Sequence, residues 1–358
     1  MKFGTFHLVE CPEHLSWQEA YEQELEQMLW AEELGFDNVW ITEHHFNRYG
    51  ICADALLMAA HVAAKTSRIR IGTSVVIPPF HNPIRLAEQV AMVDSLSGGR
   101  LDLGIGRGYQ PEEYRMFNIS MDESRERLHE NIEILVKALT EPRFSYEGKY
   151  NYIEDETVLP RPVQQPKPQM FAASATPETA VLMVKHDMVP LFGGGLIQGT
   201  DDIRGRIGVW RDLAEAGGYT PEKIDLIASQ IPVLTRVHVG DSTDEVWQKV
   251  RGPLQWFLER FVPLGLQSQL KSPEFEQYKK NVDQAYSQPI DAFKDLDVYG
   301  DPDRVISKIE QLESAGVGHV ICWMTFGGLD HTFVKNSMKR LAEEVMPHFR
   351  AKEMAAVK

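Results

Sequence analysis

Short β-rich runs alternate with longer amphipathic stretches along this chain, a pattern of hydrophobic and polar positions that belongs to βα units around a parallel sheet. The runs that read as strands are "KFGTFHL" (2–8), "NVWIT" (38–42), "IRIGTSVVI" (69–77), "RLDLGI" (100–105), "PQMFAAS" (168–174), "DMVPLF" (187–192), "QIPVLTRVHV" (230–239) and "HVICWM" (319–324). Helical periodicity fills the gaps between them. One stretch runs from Trp17 to Leu34 and closes on Gly35; another opens at Asp301, where Asp-Pro reads as N-cap and first helical residue, and closes on Gly316. The pattern predicts an α/β fold, a (β/α)8 TIM barrel with its active site at the strand C-termini. Residues 143–165 interrupt it with "FSYEGKYNY" and a Pro-rich "LPRPVQQPKP", read as a hairpin and an extended connector. Residues 261–300, between the seventh and eighth strands, are polar and aromatic with few strand signals, and read as a lid carrying extra helices. The whole of 1–358 is expected to be one barrel domain, since α/β barrels routinely exceed the average domain length.

Composition narrows the partners. Hydrophobic residues at 43% and charged residues at 25% fit a soluble globular protein. Cys11, Cys52 and Cys322 form no CxxC pair, so a reducing cytoplasm is the simpler compartment. "MKFGTFHLVE" enters a strand pattern with no apolar signal core, and the longest apolar run, "ADALLMAAHVAA", is too short to span a bilayer, so no membrane role is expected. A formal charge of -15 with no basic stripe argues against nucleic acid.

Candidate chemistry gathers at the strand ends. The second strand closes in "VWITEHHF", residues 39–46, which places Glu43, His44 and His45 where side chains leave the packed core and line the mouth. Adjacent histidines on an extended segment point to opposite sides, so no metal site is expected. An imidazole with an ordinary pKa of about 6.5 suits proton management in a barrel mouth; the alternative is a histidine that only fixes a neighbouring loop. After the fourth strand, "LGIGRGYQ" sets Gly104, Gly106 and Gly108 around Arg107. Its G-x-G-x-G spacing is not the dinucleotide fingerprint, yet it permits close ligand approach, and Arg107 offers a donor fork for phosphate or, alternatively, a salt bridge to the next helix. After the fifth strand, Ser174, Ala175 and Thr176 precede Pro177, so hydroxyls and free amides meet at a helix N-terminus, as an anion site or simply as caps. Gly193, Gly194 and Gly195 follow the sixth strand as a backbone wall or a loop. Ser74 and Val75 point inward near the mouth, and His81 in the following loop is expected to be structural.

The segments "MKFGTF", "GFDNVWITEHHF", "IRIGTSVVIPPFHNP", "SGGRLDLGIGRGYQPEEYRMF", "SATPETA" and "GDPDRVISKIEQLESAGVGHVICWM" together make the chain resemble the bacterial luciferase-like family of flavin-dependent monooxygenases over nearly its whole length. The resemblance implies a barrel that binds FMN, used as FMNH2 delivered by a separate flavin reductase, and that activates O2 as a flavin C4a-peroxide to oxygenate a small apolar organic substrate. It implies a catalytic role for His44, phosphate contacts from Arg107 and Ser174, and a non-proline cis bulge under the isoalloxazine at Ser74-Val75. It also implies a homodimer packed through the first few helices. Two positions depart from the luciferase alpha chains. Gly106 stands where they carry a reactive Cys, and Ala173 where they carry an acid, so light emission is not carried over. Two other readings use the same barrel: hydride transfer with the deazaflavin F420, whose acidic tail wants basic residues that this chain does not advertise, and a non-catalytic flavin-binding subunit, against which both His44 and Arg107 argue.

Overall fold

The computed structural model describes residues 1–173, 177–193, 195, 199–266, 276, 279–280, 282–283, 286 and 288–356. Its strands are β1 (Lys2–His7), β2 (Asn38–Ile41), β3 (Arg70–Thr73), β4 (Leu101–Gly106), β5 (Phe144–Glu147), β6 (Tyr152–Glu156), β7 (Gln169–Ala173), β8 (Met188–Pro190), β9 (Pro232–Val239), β10 (Val298–Gly300) and β11 (His319–Trp323). One curled sheet runs β10-β9-β11-β1-β2-β3-β4-β7-β8, with every neighbouring pair parallel. The curl closes just beyond β8, where Phe192 bridges Val233 of β9. The Phe192 amide donates to the Pro232 carbonyl at 3.0 Å and the Leu234 amide to the Phe192 carbonyl at 2.8 Å. The strands read from the pattern are therefore the staves of the predicted (β/α)8 barrel, and β5 and β6 form the antiparallel hairpin expected in the first interruption.

Trp40 fills the interior between β2 and β7. Its buried indole projects into the interior, Phe171 meets it edge-on at 5.0 Å between centroids, and a Cβ at Gly72 on the adjacent strand would overlap the ring. Glycine is what leaves room for the largest side chain at native packing density.

The helices obey the expected punctuation. α1 (Trp17–Leu34) opens with a capping box between Ser16 and Glu19 and ends on Gly35 at φ 81°. α2 (Ala55–Ala63) is capped by Asp54, α3 (Pro83–Leu96) by Asn82 with Pro83 at its first position, and α4 (Pro111–Met116) likewise starts on proline. In the helix Pro302–Ser314, Asp301 accepts from the Arg304 amide, and Gly316 follows at φ +95°.

Two differences from the sequence reading are local. The third strand, read as 69–77, stops at Thr73, and pairing resumes only as the single bridge from Val76 to Ile105; between them the Ser74-Val75 peptide is cis, as the resemblance implied. β10 was not foreseen: it pairs with the end of β9 from Val298↔Val237 to Gly300↔Val239. Part of the predicted 261–300 excursion, residues 267–275 among it, lies outside the described residues. The helix Thr243–Leu266 enters that excursion, and the short helices Ile290–Ala292 and Phe293–Leu296 lead back to β10. The return is anchored by a buried ion pair, Arg236 Nε to Asp297 Oδ2 at 2.8 Å. Among the described residues, no helix is long and apolar enough to cross a membrane.

Candidate active site

Sheet order decides which of the proposed residues can meet. β2, β3, β4 and β7 are consecutive neighbours, and just past their C-terminal ends lie Glu43–Phe46, Ser74-Val75, Arg107–Tyr109 and, after Ala173, residues 174–176. Backbone hydrogen bonds stitch these ends together. The Ser74 amide donates to Ile41 O at 2.7 Å, Glu43 to Val75 O at 3.2 Å, Val76 to Gly104 O at 2.9 Å, and Gly106 to Val76 O at 3.0 Å. His44, Ser74, Val75, Arg107 and Gly108 are thus brought to one sector of the mouth. Ser174, Ala175 and Thr176 lie outside the described residues; Gly106 and Ala173, which precede Arg107 and Ser174 in the sequence, are register partners.

His44 is buried and held from both sides of its ring. Nδ1 lies 3.0 Å from Glu113 Oε1 and 3.0 Å from the Tyr49 hydroxyl, and Nε2 lies 3.2 Å from the Tyr109 hydroxyl. An ionised carboxylate only accepts, so this network assigns the proton of the neutral ring to Nδ1 and the lone pair to Nε2. The same Glu113 oxygen accepts the His45 amide at 3.0 Å, which fixes the backbone that carries His44. Burial pushes the Tyr109 phenol well above its usual range, so it stays a neutral hydroxyl able to give or take a hydrogen bond.

Glu43 and His45 turn away from that ring. Glu43 accepts from the Ile77 amide at 3.1 Å and pairs with His45 Nε2 at 3.1 Å and His81 Nε2 at 3.0 Å. Burial alone would raise the Glu43 carboxyl, but hydrogen bonds from His45 and His81 and the charge of His81 hold it below its ordinary value. His81 responds in kind: burial disfavours its charge, yet the Glu43 hydrogen bond and charge raise it. This cluster ties the loop after β3 to the end of β2, the structural role expected of His81.

Arg107 and Gly108 begin the turn from β4 into α4. Arg107 is half-buried, and its carbonyl accepts the buried Tyr114 hydroxyl. Gly108 has φ +78°, a left-handed position that favours glycine. A Cβ at Gly106 would come within 2.7 Å of Val75 Cγ2, so the missing side chain keeps the Val75 bulge and the β4 end in contact. A guanidinium offers a fork of donors whose geometry suits phosphate oxygens. Among the described residues no group of three His, Cys, Asp or Glu side chains could hold a metal ion.

Tyr49, Tyr109 and Glu113 escaped the sequence reading. Two of them stand inside "GRGYQPEEY", and Glu113 sits at the third position of α4, three residues after Gln110. A short helix starting at a strand C-terminus and bearing an acid at that position was the available signal.

The family model described as "Luciferase-like monooxygenase" matches residues 1–319. The chain is 27% identical to the oxygenase component of the flavin-dependent trigonelline monooxygenase of Acinetobacter baylyi, over 98% of this chain and 96% of that one. It superposes on the crystal structure of the monooxygenase RslO1 from Streptomyces bottropensis with TM-score 0.83 at 27% identity, covering 98% and 100% of the two chains. Two further structures share the fold alone. One is the oxygenating constituent of 3,6-diketocamphane monooxygenase from Pseudomonas putida in complex with FMN (TM-score 0.79, 20% identity, 97% and 98% covered). The other is an F420-dependent secondary alcohol dehydrogenase (TM-score 0.73, 18% identity, 97% and 98% covered). With a family model matched across most of its length, the chain belongs to the luciferase-like monooxygenase family.

Proposed function

We propose that this chain is the oxygenase of a two-component flavin system, taking reduced FMN from a separate reductase and oxygenating a small apolar organic substrate. The observation that carries the reading is the run of neighbouring strands β2, β3, β4 and β7, with His44, the cis Ser74-Val75 peptide and Arg107 just past the ends of the first three. Reduced FMN, when bound, supplies two electrons with which one atom of O2 enters the substrate and the other leaves as water. Arg107, Ser174 and the amides of 174–176 would hold its phosphate, and Ser74, Val75, Gly106 and Gly108 would let the ring lie against the backbone. His44 manages a proton at Nε2, and Glu113 with Tyr49 holds the opposite nitrogen. Tyr109 places a neutral hydroxyl within reach of Nε2. The 261–300 excursion serves to exclude water.

The reductase partner is supported by the trigonelline relative, which is named as an oxygenase component. A homodimer is supported by apolar side chains left exposed on outer helices, Leu57 at 71% on α2 and Leu96 at 63% on α3. Three unbridged, buried cysteines suit the cytoplasm.

Three measurements test the reading. Photoreduced FMN is titrated anaerobically into wild type and Arg107→Ala; the expected result is tight binding that weakens at least about tenfold in the variant. Isotopically labelled O2 is then admitted with a panel of apolar substrates, and label is expected in product. His44→Ala is expected to keep flavin binding while product formation falls about 10²-fold or more. Tight F420 binding with hydride transfer and no label in product would replace this reading with the deazaflavin one.

A further inference from the structure

The other end of the barrel holds a cavity of about 750 Å³, within the range of small-molecule sites. The N-terminal face of such barrels ordinarily serves stability, so an open polar chamber there calls for an explanation. Its charged lining is Lys2, Arg68, Arg70 and Arg350 against Asp37 and Asp102. Arg70 and Asp102 neutralise each other through two bonds, Nε to Oδ2 at 2.9 Å and Nη2 to Oδ1 at 2.6 Å. Within the lining, Lys2, Arg68 and Arg350 are left with one acid, Asp37, which already accepts the Phe3 amide at 2.8 Å; the Glu32 carboxylate, outside the lining, accepts the Arg68 amide at 2.9 Å. Arg68 and Arg350 each spend one N–H on a carbonyl at the end of α1, at Glu32 and Gly35, and the fork geometry of a guanidinium leaves further donors. On a chain of net charge -15 this is a local reversal of sign.

The depth of the chamber is neutral and polar. Asn38 Oδ1 is satisfied twice, at 2.8 Å from Trp40 Nε1 and 3.0 Å from His319 Nε2, while its NH2 makes no hydrogen bond among the described residues. Gln230 also lines the cavity. Phe171, which lines the chamber, packs edge-on against the buried Trp40 indole at 5.0 Å between centroids.

We infer that this cavity is a second ligand site, for a small organic oxyanion whose carboxylate or phosphate sits among Lys2, Arg68 and Arg350 and whose neutral polar part meets Asn38 and Gln230. The site is separate from the flavin bay and would bind its ligand whatever cofactor the mouth takes.

Calorimetric titration with inorganic phosphate and with malonate tests it. Both are run on Arg107→Ala, so that phosphate binding in the mouth is removed. The expected result is saturable one-to-one binding of at least one ion, and the ion that binds tighter identifies a phosphate or a carboxylate ligand. The double variant Lys2→Gln/Arg68→Gln, at two exposed positions, is expected to weaken binding about tenfold or more; Arg350 is left intact because it holds the α1 end. Failure of both ions to saturate below about 10 mM, or equal affinity in the double variant, would overturn the assignment.

Discussion

A single carboxylate, Glu113, decides which nitrogen of His44 is basic. It is buried at 1% exposure and accepts from both the His44 ring and the His45 amide. Glu113→Gln keeps the shape but offers the ring an amide that either donates or accepts. The ring is then expected to populate both tautomers, seen as convergence of its two nitrogen-15 shifts, with product formation down about 10²-fold; unchanged shifts would make Glu113 a packing residue only. The neighbouring Glu43–His81 pair acts on stability rather than chemistry. His81 is raised above 6.5, so its contribution is fully present below 6.5 and fades as pH rises through the folded value. Glu43 is depressed below 4.5, so its contribution is present above 4.5 and fades as pH falls through the folded value. The pair therefore stabilises most between 4.5 and 6.5. His81→Gln is expected to lose about 1.5–3 kcal/mol there, and less at pH 8.5, read from urea midpoints; equal losses at pH 5.5 and 8.5 would contradict it. His44 and Arg107 were legible as candidates because each stands one to three residues past a buried strand, where side chains leave the packed core. Tyr49 and Tyr109 were not, since loop aromatics carry no period and only the folded chain brings them to one ring.

Among the elements, the long strands were legible because fully buried parallel strands read as continuous apolar runs. β10 was not, because three residues, Val298–Gly300, give no alternation to detect and a helix cap follows at once. Its place depends instead on the Arg236–Asp297 pair, whose side chains are 2% and 0% exposed. Arg236 also lies 5.2 Å from the Phe293 ring centroid and 5.6 Å from that of Trp323, so it joins β9, β11 and the segment returning from the excursion. Removing one partner leaves an uncompensated buried charge. Asp297→Ala is expected to cost about 3–5 kcal/mol in chemical denaturation, whereas Arg236→Met combined with Asp297→Leu regains most of it. If the double variant is no more stable than the single one, the pair is needed for more than neutralising its own charges.

For the molecule as a whole, the question is where a closed barrel is weakest. β1 is held along its length on both sides, by five register pairs with β11 and four with β2. At the β8–β9 seam the backbone pairing among the described residues is the Phe192–Val233 bridge with its two hydrogen bonds, and β8 itself has three residues. Opening the seam breaks little of the ladder and leaves Trp40 packed at the waist, so it should cost far less than global unfolding. Native-state hydrogen exchange is expected to show the Phe192 and Leu234 amides exchanging through a low-energy local opening, while the β1 amides exchange only with global unfolding. Exchange at Phe192 as slow as in β1 would mean that side-chain packing across the seam, rather than the backbone ladder, closes the barrel.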